Sequence, residues 1–379
     1  MKRAPGPGRG HWRPVGSADE ASPPEAPRSA RTGVRYCRRR LAAAGAAVLA
    51  VFGLALAAAT AGHAATLDDV RARGHVVCGV TEDAPGFATA SDDGTWSGLD
   101  IDFCKAVATA VFGDKTAVKY RVVTPANRYH ALTAREVDLL PRAGGRTLSR
   151  DTELGVRFTD TLFHDGQGVL IRRGYAVASV LELSGTTICV MKDTPAAQAV
   201  ETFFQSRKMR YQIVAAEKWT DVVKAYADGA CTVLTGDVAM LAAERSRLAV
   251  PADHVLMQEL ISKEMLGPVV RQGDDQWFSI VRWTLSALIA AEELGISSQN
   301  VEAQRGSANA DIRHFLGVEA DLGQGMGLAR DWSYQLVRQV GNYGEVFERN
   351  VGLKSPLALE RGVNNLWTRG GLMSAGALR

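Results

Sequence analysis

Apolar positions recur along this chain in two periods, and the switching between them outlines its elements. His75–Val80 (HVVCGV) is a β-branched run of strand length, preceded by a capped helical segment at Thr66–Arg71. A turn-rich stretch from Pro85-Gly86 to Asp92-Asp93-Gly94 follows. Leu99–Phe112 sets Ile101, Cys104, Val107, Ala108 and Val111 at spacings of three and four, one face of a helix. Val118–Val123 predicts a second strand, Asn127–Arg135 a second helix and Val137–Leu140 a third, short strand. The pattern then restarts. Strands are predicted at Thr186–Val190, Tyr211–Val214 and Thr232–Leu234, and helices at Ala196–Arg207, Asp221–Asp228 and Val238–Ser246.

Residues 66–166 and 174–265 therefore read as two similar α/β units with largely parallel sheets. Gly166–Arg172 and Gly267–Arg271 are the expected crossovers between them. A double crossover makes a hinge, and the cleft between the units is the natural ligand site. From Asp275 an amphipathic helix begins, and Arg282 within it argues against a membrane span. Further helices are expected around Gln335–Val340 and Glu345–Asn350.

Charge changes the picture at the N-terminus. The net charge is +3, but residues 1–65 hold ten basic groups and three acids. The remainder carries 34 basic against 38 acidic residues, so it has no basic surplus of the kind nucleic-acid binding needs. Residues 1–32 are rich in Pro, Gly, Ser and Arg; Arg35–Arg40 is a positive cluster; Leu41–Ala59 is apolar. Small residues Thr60–Ala65 then complete a secretory signal peptide, with cleavage expected near Ala64 or Ala65. An uncleaved anchor is the competing reading, since the run approaches the ~20 residues a span needs. Val34–Ala65 alone has normal signal-peptide proportions, which suggests a translation start near Val34.

Beyond the leader, four cysteines remain: Cys78, Cys104, Cys189 and Cys231. In an oxidising compartment they permit two disulfides, with three connectivities open. No CxxC or Cys/His cluster accompanies them, so neither a metal nor a cofactor is expected.

Several blocks carry a resemblance. They are Trp96–Cys104 (WSGLDIDFC), Thr147–Asp151 (TLSRD), Asp165–Gly168 (DGQG), Ile261–Glu264 (ISKE), Arg271–Trp277 (RQGDDQW) and Gly341–Gly352. In these the sequence resembles the periplasmic substrate-binding proteins of general L-amino-acid ABC transporters, of the type 2, polar-amino-acid class. The resemblance implies a two-lobed α/β fold with a double-crossover hinge. Lobe 1 would comprise 66–168 and 270–379, and lobe 2 would be 169–269. It also implies disulfides Cys78–Cys104 and Cys189–Cys231, one per lobe; a bridge between lobes would block closure. The implied partners are a small ligand, an amino acid first, and the permease of an ABC importer. The chain is expected to be a monomer in the periplasm.

An amino acid needs a cation and N–H donors for its carboxylate, and an anion or carbonyls for its ammonium. By the resemblance Arg150 is the carboxylate-binding arginine and Asp237 the ammonium-binding aspartate. Read alone, Asp237 before Val238-Ala239-Met240-Leu241 is also a good helix N-cap. The chain departs from the family pattern in two places. Where relatives carry Thr-Thr, it has Gly144-Gly145 within Arg142–Arg146, leaving the Gly145 N–H and Ala143 carbonyl as ligand contacts. Where relatives have a Gly-Thr-Thr turn, it has Asp193-Thr194-Pro195; Thr194 remains a candidate contact, but Pro195 has no N–H to give. A lost donor to a charged ligand costs ~1.5–3 kcal/mol. The expected protein is thus a divergent relative with altered ligand choice. Selectivity is expected from Asp83–Phe87, Pro125–Tyr129 and the Arg142–Arg146 loop.

Other functions fit the same scaffold. A sensor presenting ligand to a chemoreceptor would use the same cleft, and some dehydratases resemble binding proteins. Glu82, Asp83, His130 and His164 are the acid–base groups an enzyme could use, but no nucleophile–base motif is present. A binding protein rather than an enzyme is therefore expected.

Overall fold

The computed structural model describes residues 65–82 and 84–378. The leader, its signal-peptide reading and Asp83 lie outside the described residues. Among those described, no helix is long and apolar enough to cross a membrane.

The chain opens with α1 (Thr66–Arg73), β1 (Val76–Val80), the short hairpin β2 (Thr89–Ala90) and β3 (Trp96–Ser97), and α2 (Leu99–Phe112). Next come β4 (Val118–Val122), α3 (Arg128–Thr133) and α4 (Leu148–Glu153). β1 and β4 pair in parallel, as their alternation with α2 predicts. The third strand does not form. Residues 139 and 140 make single bridges, Leu139 to Cys78 and Leu140 to Val269. The Asp138 N–H still donates to Val77 O at 2.8 Å and its side chain accepts from Val77 N at 2.7 Å, but Pro141 stops the run before a ladder forms.

The outgoing connection lies one strand earlier than the expected Gly166–Arg172, whereas the return includes the expected Gly267–Arg271. β5 (Val156–Phe158) and β6 (Phe163–Asp165) lead to β7 (Gln167–Arg172). β8 (Thr186–Met191), α5 (Pro195–Ser206), β9 (Tyr211–Ala216), α6 (Trp219–Ala227), β10 (Val233–Asp237), α7 (Val238–Arg247) and β11 (His254–Leu256) follow. The chain returns through β12 (Glu264–Leu266) and β13 (Val269–Arg271) to the long α8 (Asp275–Glu293). The β6–β12 and β5–β13 ladders are both antiparallel, so the two passes between units run side by side. β7 itself is a strand of the second unit, whose sheet has the order β11-β7-β10-β8-β9. β7 runs antiparallel to β10 and β11, so this sheet is mixed rather than largely parallel.

Each unit carries its own disulfide. Cys78 bonds Cys104 with Cα atoms 6.2 Å apart, pinning β1 to α2; Cys189 bonds Cys231 at 5.7 Å, beside the β8–β10 pair. Both separations suit a disulfide. In the loop-entropy model each bridge contributes ~3–4 kcal/mol. The first core packs α2 against α8 and against two later helices, α9 (Trp332–Val340) and α10 (Tyr343–Asn350). Trp277, Trp332, Tyr343 and Phe347 are its largest buried side chains. The residues after α10 return along this core, burying Leu357, Leu359, Leu366 and Met373.

Candidate ligand-binding site

The strand ends and loops beside the β6–β12 ladder form one cleft. Two adjoining recesses of about 380 and 430 Å3 share Trp219, Asp237, Met240 and Glu264. One wall is cationic. Arg142 lays its guanidinium on Phe87, 4.1 Å from the ring centre, and its Nε donates to both oxygens of buried Asp100 at 3.2 Å. This leaves its outer nitrogens toward the recess that Asp165, Asp237 and Glu264 also line.

The two glycines at 144 and 145 decide what else reaches the cleft. Gly144 has φ +91°, a conformation glycine tolerates at little cost. A Cβ there would stand 3.0 Å from Arg128 Nη2 and 3.4 Å from Arg150 Nη1. A Cβ on Gly145 would stand 3.4 Å from the Glu264 carboxylate. A Cβ at 144 would crowd the Arg128 guanidinium, whereas Arg150 and Glu264 stand at ordinary contact distance from the two glycines. Arg150 begins its helix under the Thr147 cap, and its Nη1 donates to the Gly145 carbonyl at 2.7 Å. Among the described residues neither Arg128 nor Arg150 has a carboxylate partner, and the buried Nε of Arg128 has no acceptor.

The opposite wall is acidic. Asp237 ends β10 with its residue exposed, and its side chain makes no cap bond to α7. The N-cap alternative is thus not realised, and the carboxylate is left for the cleft. The surrounding walls push its acidity toward the neutral form, while Arg142 opposes this. Asp165, at the end of β6, is 4% exposed and accepts from Gly166 N at 2.8 Å. Burial, with a further push from Asp237, raises its pKa to about 7. Burial and Asp237 also raise Glu264, with Arg150 and Arg142 pulling it back. An incoming ammonium would relieve the repulsion among these three carboxyls.

The remaining expected contacts are partly committed. Ala143 is buried and its carbonyl accepts from Tyr129 OH at 2.7 Å, leaving one lone pair. No described acceptor takes the Gly145 N–H. Thr194 lines the second recess, but its hydroxyl donates to Met191 O and accepts from Ala197 N as the cap of α5. Pro195 stands at the first helical position, and Asp193 projects to solvent beside Lys192.

The sequence suggested Arg150 and Asp237 as ligand contacts and Arg142 as part of a selectivity loop, but gave Asp165 and Glu264 no ligand role; Asp237 and Arg142 line the recess, and Arg150 stands beside Gly144 at its edge. The usable signal was a charge inside an otherwise apolar crossover strand, as in Phe163-His164-Asp165 and Glu264-Met265-Leu266. Among the described residues no group of three or more His, Cys, Asp or Glu is placed to hold a metal ion.

Comparison with known proteins agrees with this architecture. The family model for bacterial extracellular solute-binding proteins, family 3, matches residues 76–299. The general L-amino acid-binding periplasmic protein AapJ of Rhizobium johnstonii is 47% identical over 340 residues, 89% of this chain and 98% of that protein. The glutamate/glutamine/aspartate/asparagine-binding protein BztA of Rhodobacter capsulatus is 45% identical over 334 residues, 87% and 99% of the two chains. A solved ABC transporter periplasmic binding protein from Brucella ovis, with glutathione bound, is 45% identical with a TM-score of 0.73. It covers 84% of this chain and 100% of its own. Two α/β units joined by paired strands, with a charged cleft between them, are the type 2 periplasmic-binding-protein fold, and the chain belongs to the bacterial extracellular solute-binding proteins, family 3.

Proposed function

We propose that this periplasmic protein captures an α-amino acid ligand bearing a second carboxylate and hands it to the permease of an ABC importer. The observation that carries this reading is the pair of guanidiniums, Arg128 and Arg150, flanking Gly144 without carboxylate partners among the described residues. Arg150 takes the α-carboxylate through its planar fork. Arg128 takes the distal acid, and the Asp237, Asp165 and Glu264 wall takes the ammonium. The relatives support this class: one is named for glutamate, glutamine, aspartate and asparagine, and the solved neighbour holds glutathione, a γ-glutamyl peptide.

The ligand bridges residues from the two units, lobe 1 (66–168 and 270–379) and lobe 2 (169–269). Closure about the β6–β12 ladder gains contacts the open state lacks, which is the differential interaction a hinge requires. Gly144-Gly145 and Pro195 re-aim the site: two hydroxyls and one N–H are absent, and Arg128 and Glu264 enter instead. The leader serves as the export signal, cleaved near Ala64 or Ala65.

Mass spectrometry of the ligand retained through native purification, with calorimetry against L-glutamate, L-glutamine, L-alanine and glutathione, tests the reading. Binding of an acidic member at least tenfold tighter than L-alanine is expected. Equal affinity for all four would sink it, and turnover of the retained molecule would point to an enzyme instead.

A further inference from the structure

The two units also meet behind the ladder. A smaller recess of about 140 Å3 lies between β6, α7 and residues 358–364. Helix α7 separates this rear recess from the cleft. Met240, Ala243, Glu244 and Arg247 line the cleft, whereas Val238 and Arg245, seven residues apart, line the rear recess. At 3.6 residues per turn these two sets fall on opposite faces of the helix.

The rear face is tied down by the segment after α10. Arg245 Nη2 donates to the Leu357 and Ala358 carbonyls, and the Gln258 amide donates to Glu360. The segment itself is fixed to the first unit. Arg361 forks onto Glu292 at 3.2 and 3.1 Å and lies over Tyr343 and Phe347. Leu357 and Leu359 are buried in the same core. Asn364 exchanges hydrogen bonds of 2.7 and 2.8 Å with the His164 backbone in β6, so the anchor reaches the ladder. The segment itself lies beyond residue 299, where the family match ends, while its partners Arg245, Gln258, Glu292 and His164 lie within it.

We infer that residues 355–364 form a strap across the rear of the hinge that holds the cleft open. The inference rests on the hinged-capture reading above. Rotation about the β6–β12 ladder that narrows the front must widen the rear, so closure stretches the Arg245 and Gln258 contacts. Ligand binding energy is spent on breaking them, and affinity is set lower than the cleft alone would give. Removing the strap contacts shifts the unliganded protein toward the closed form and tightens binding.

Spin labels on bio-orthogonal residues replacing Leu148 (82% exposed) and Asp193 report the cleft width without touching the cysteines. In the unliganded chain, Arg245→Ala is expected to move the distance distribution toward shorter values, while Arg245→Lys, which keeps a donor, stays near wild type. Affinity for whichever of L-glutamate and glutathione binds should rise several-fold in Arg245→Ala. An unchanged or longer distance in folded Arg245→Ala overturns the strap. If that variant does not fold, Gln258→Ala combined with Glu360→Ala carries the same expectation and the same overturning result. The capture reading is checked separately in the wild type, where saturating L-glutamate or glutathione should shorten the distance. Failure of that shift alongside a shortened Arg245→Ala distance would count against capture and leave the strap standing.

Discussion

The two walls of the cleft carry opposite charge and are built in different ways. The cationic wall is nearly local: Arg128, Arg142 and Arg150 fall within one stretch, positioned by Tyr129, Phe87, Asp100 and the Gly145 carbonyl. The acidic wall gathers Asp165, Asp237 and Glu264 from β6, β10 and β12. Only the ladder and the mixed sheet bring these three together. The cationic wall can therefore be varied one residue at a time, whereas the acidic wall responds as a coupled set.

The sharpest break of this comparison is Arg150→Ala. Its only tie within the described protein is to the Gly145 carbonyl, so the fold should hold while affinity drops about a hundredfold or more, as two charge-assisted bonds are lost. Calorimetry beside a thermal melt checks both halves. Asp237→Asn should follow, weakening ammonium-bearing ligands roughly ten- to a hundredfold. Because Asp237 makes no cap bond, the melting temperature should change little. Since Asn caps as well as Asp, the N-cap role is read from Asp237→Ala, where a loss of about 1 kcal/mol of stability with unchanged affinity would restore it.

Arg128→Gln is a finer test. It should cost about tenfold for L-glutamate and little for L-glutamine, compressing the preference between them. Equal losses for both would assign Arg128 to packing. The smallest effect concerns Asp165. Its folded pKa of about 7 lies above the ordinary 3.8, so the native state holds a proton that the unfolded chain releases. Its contribution is full below pH 4 and is lost as pH rises to 7. Asp165→Asn should remove that slope, so its stability gain over wild type grows as pH rises from 4 to 7 in denaturant titrations, with little effect on ligand affinity. Parallel pH profiles for the two proteins would show that the carboxyl titrates normally.

Much of this molecule was written in local pattern. The period of apolar residues located α2 and α8, and the β-branched runs located β1, β4, β8 and β9, because each buries one face against its own unit. The resemblance paired the cysteines as they are found. Arg150 and Asp237 stood out as candidates because each sits in a short motif near the boundary of an element. The third strand was overread: Val137–Leu140 has strand composition and lies beside β1, but only Leu139 and Leu140 make bridges before Pro141 stops the run.

What only the tertiary structure decided is where distant segments meet. Strand direction is not encoded in alternation, so the antiparallel β7 and the earlier crossover at β6–β12 became visible only in the sheet. Glycine at 144 and 145 read as lost ligand hydroxyls; in the fold, Gly144 also leaves room for the Arg128 guanidinium. The sequence by itself determined two α/β units and the motif-borne ends of the site. The fold decided the acidic wall, the placing of Arg128 beside Gly144 and the contacts of residues 355–364 with α7, because each depends on segments far apart in the chain.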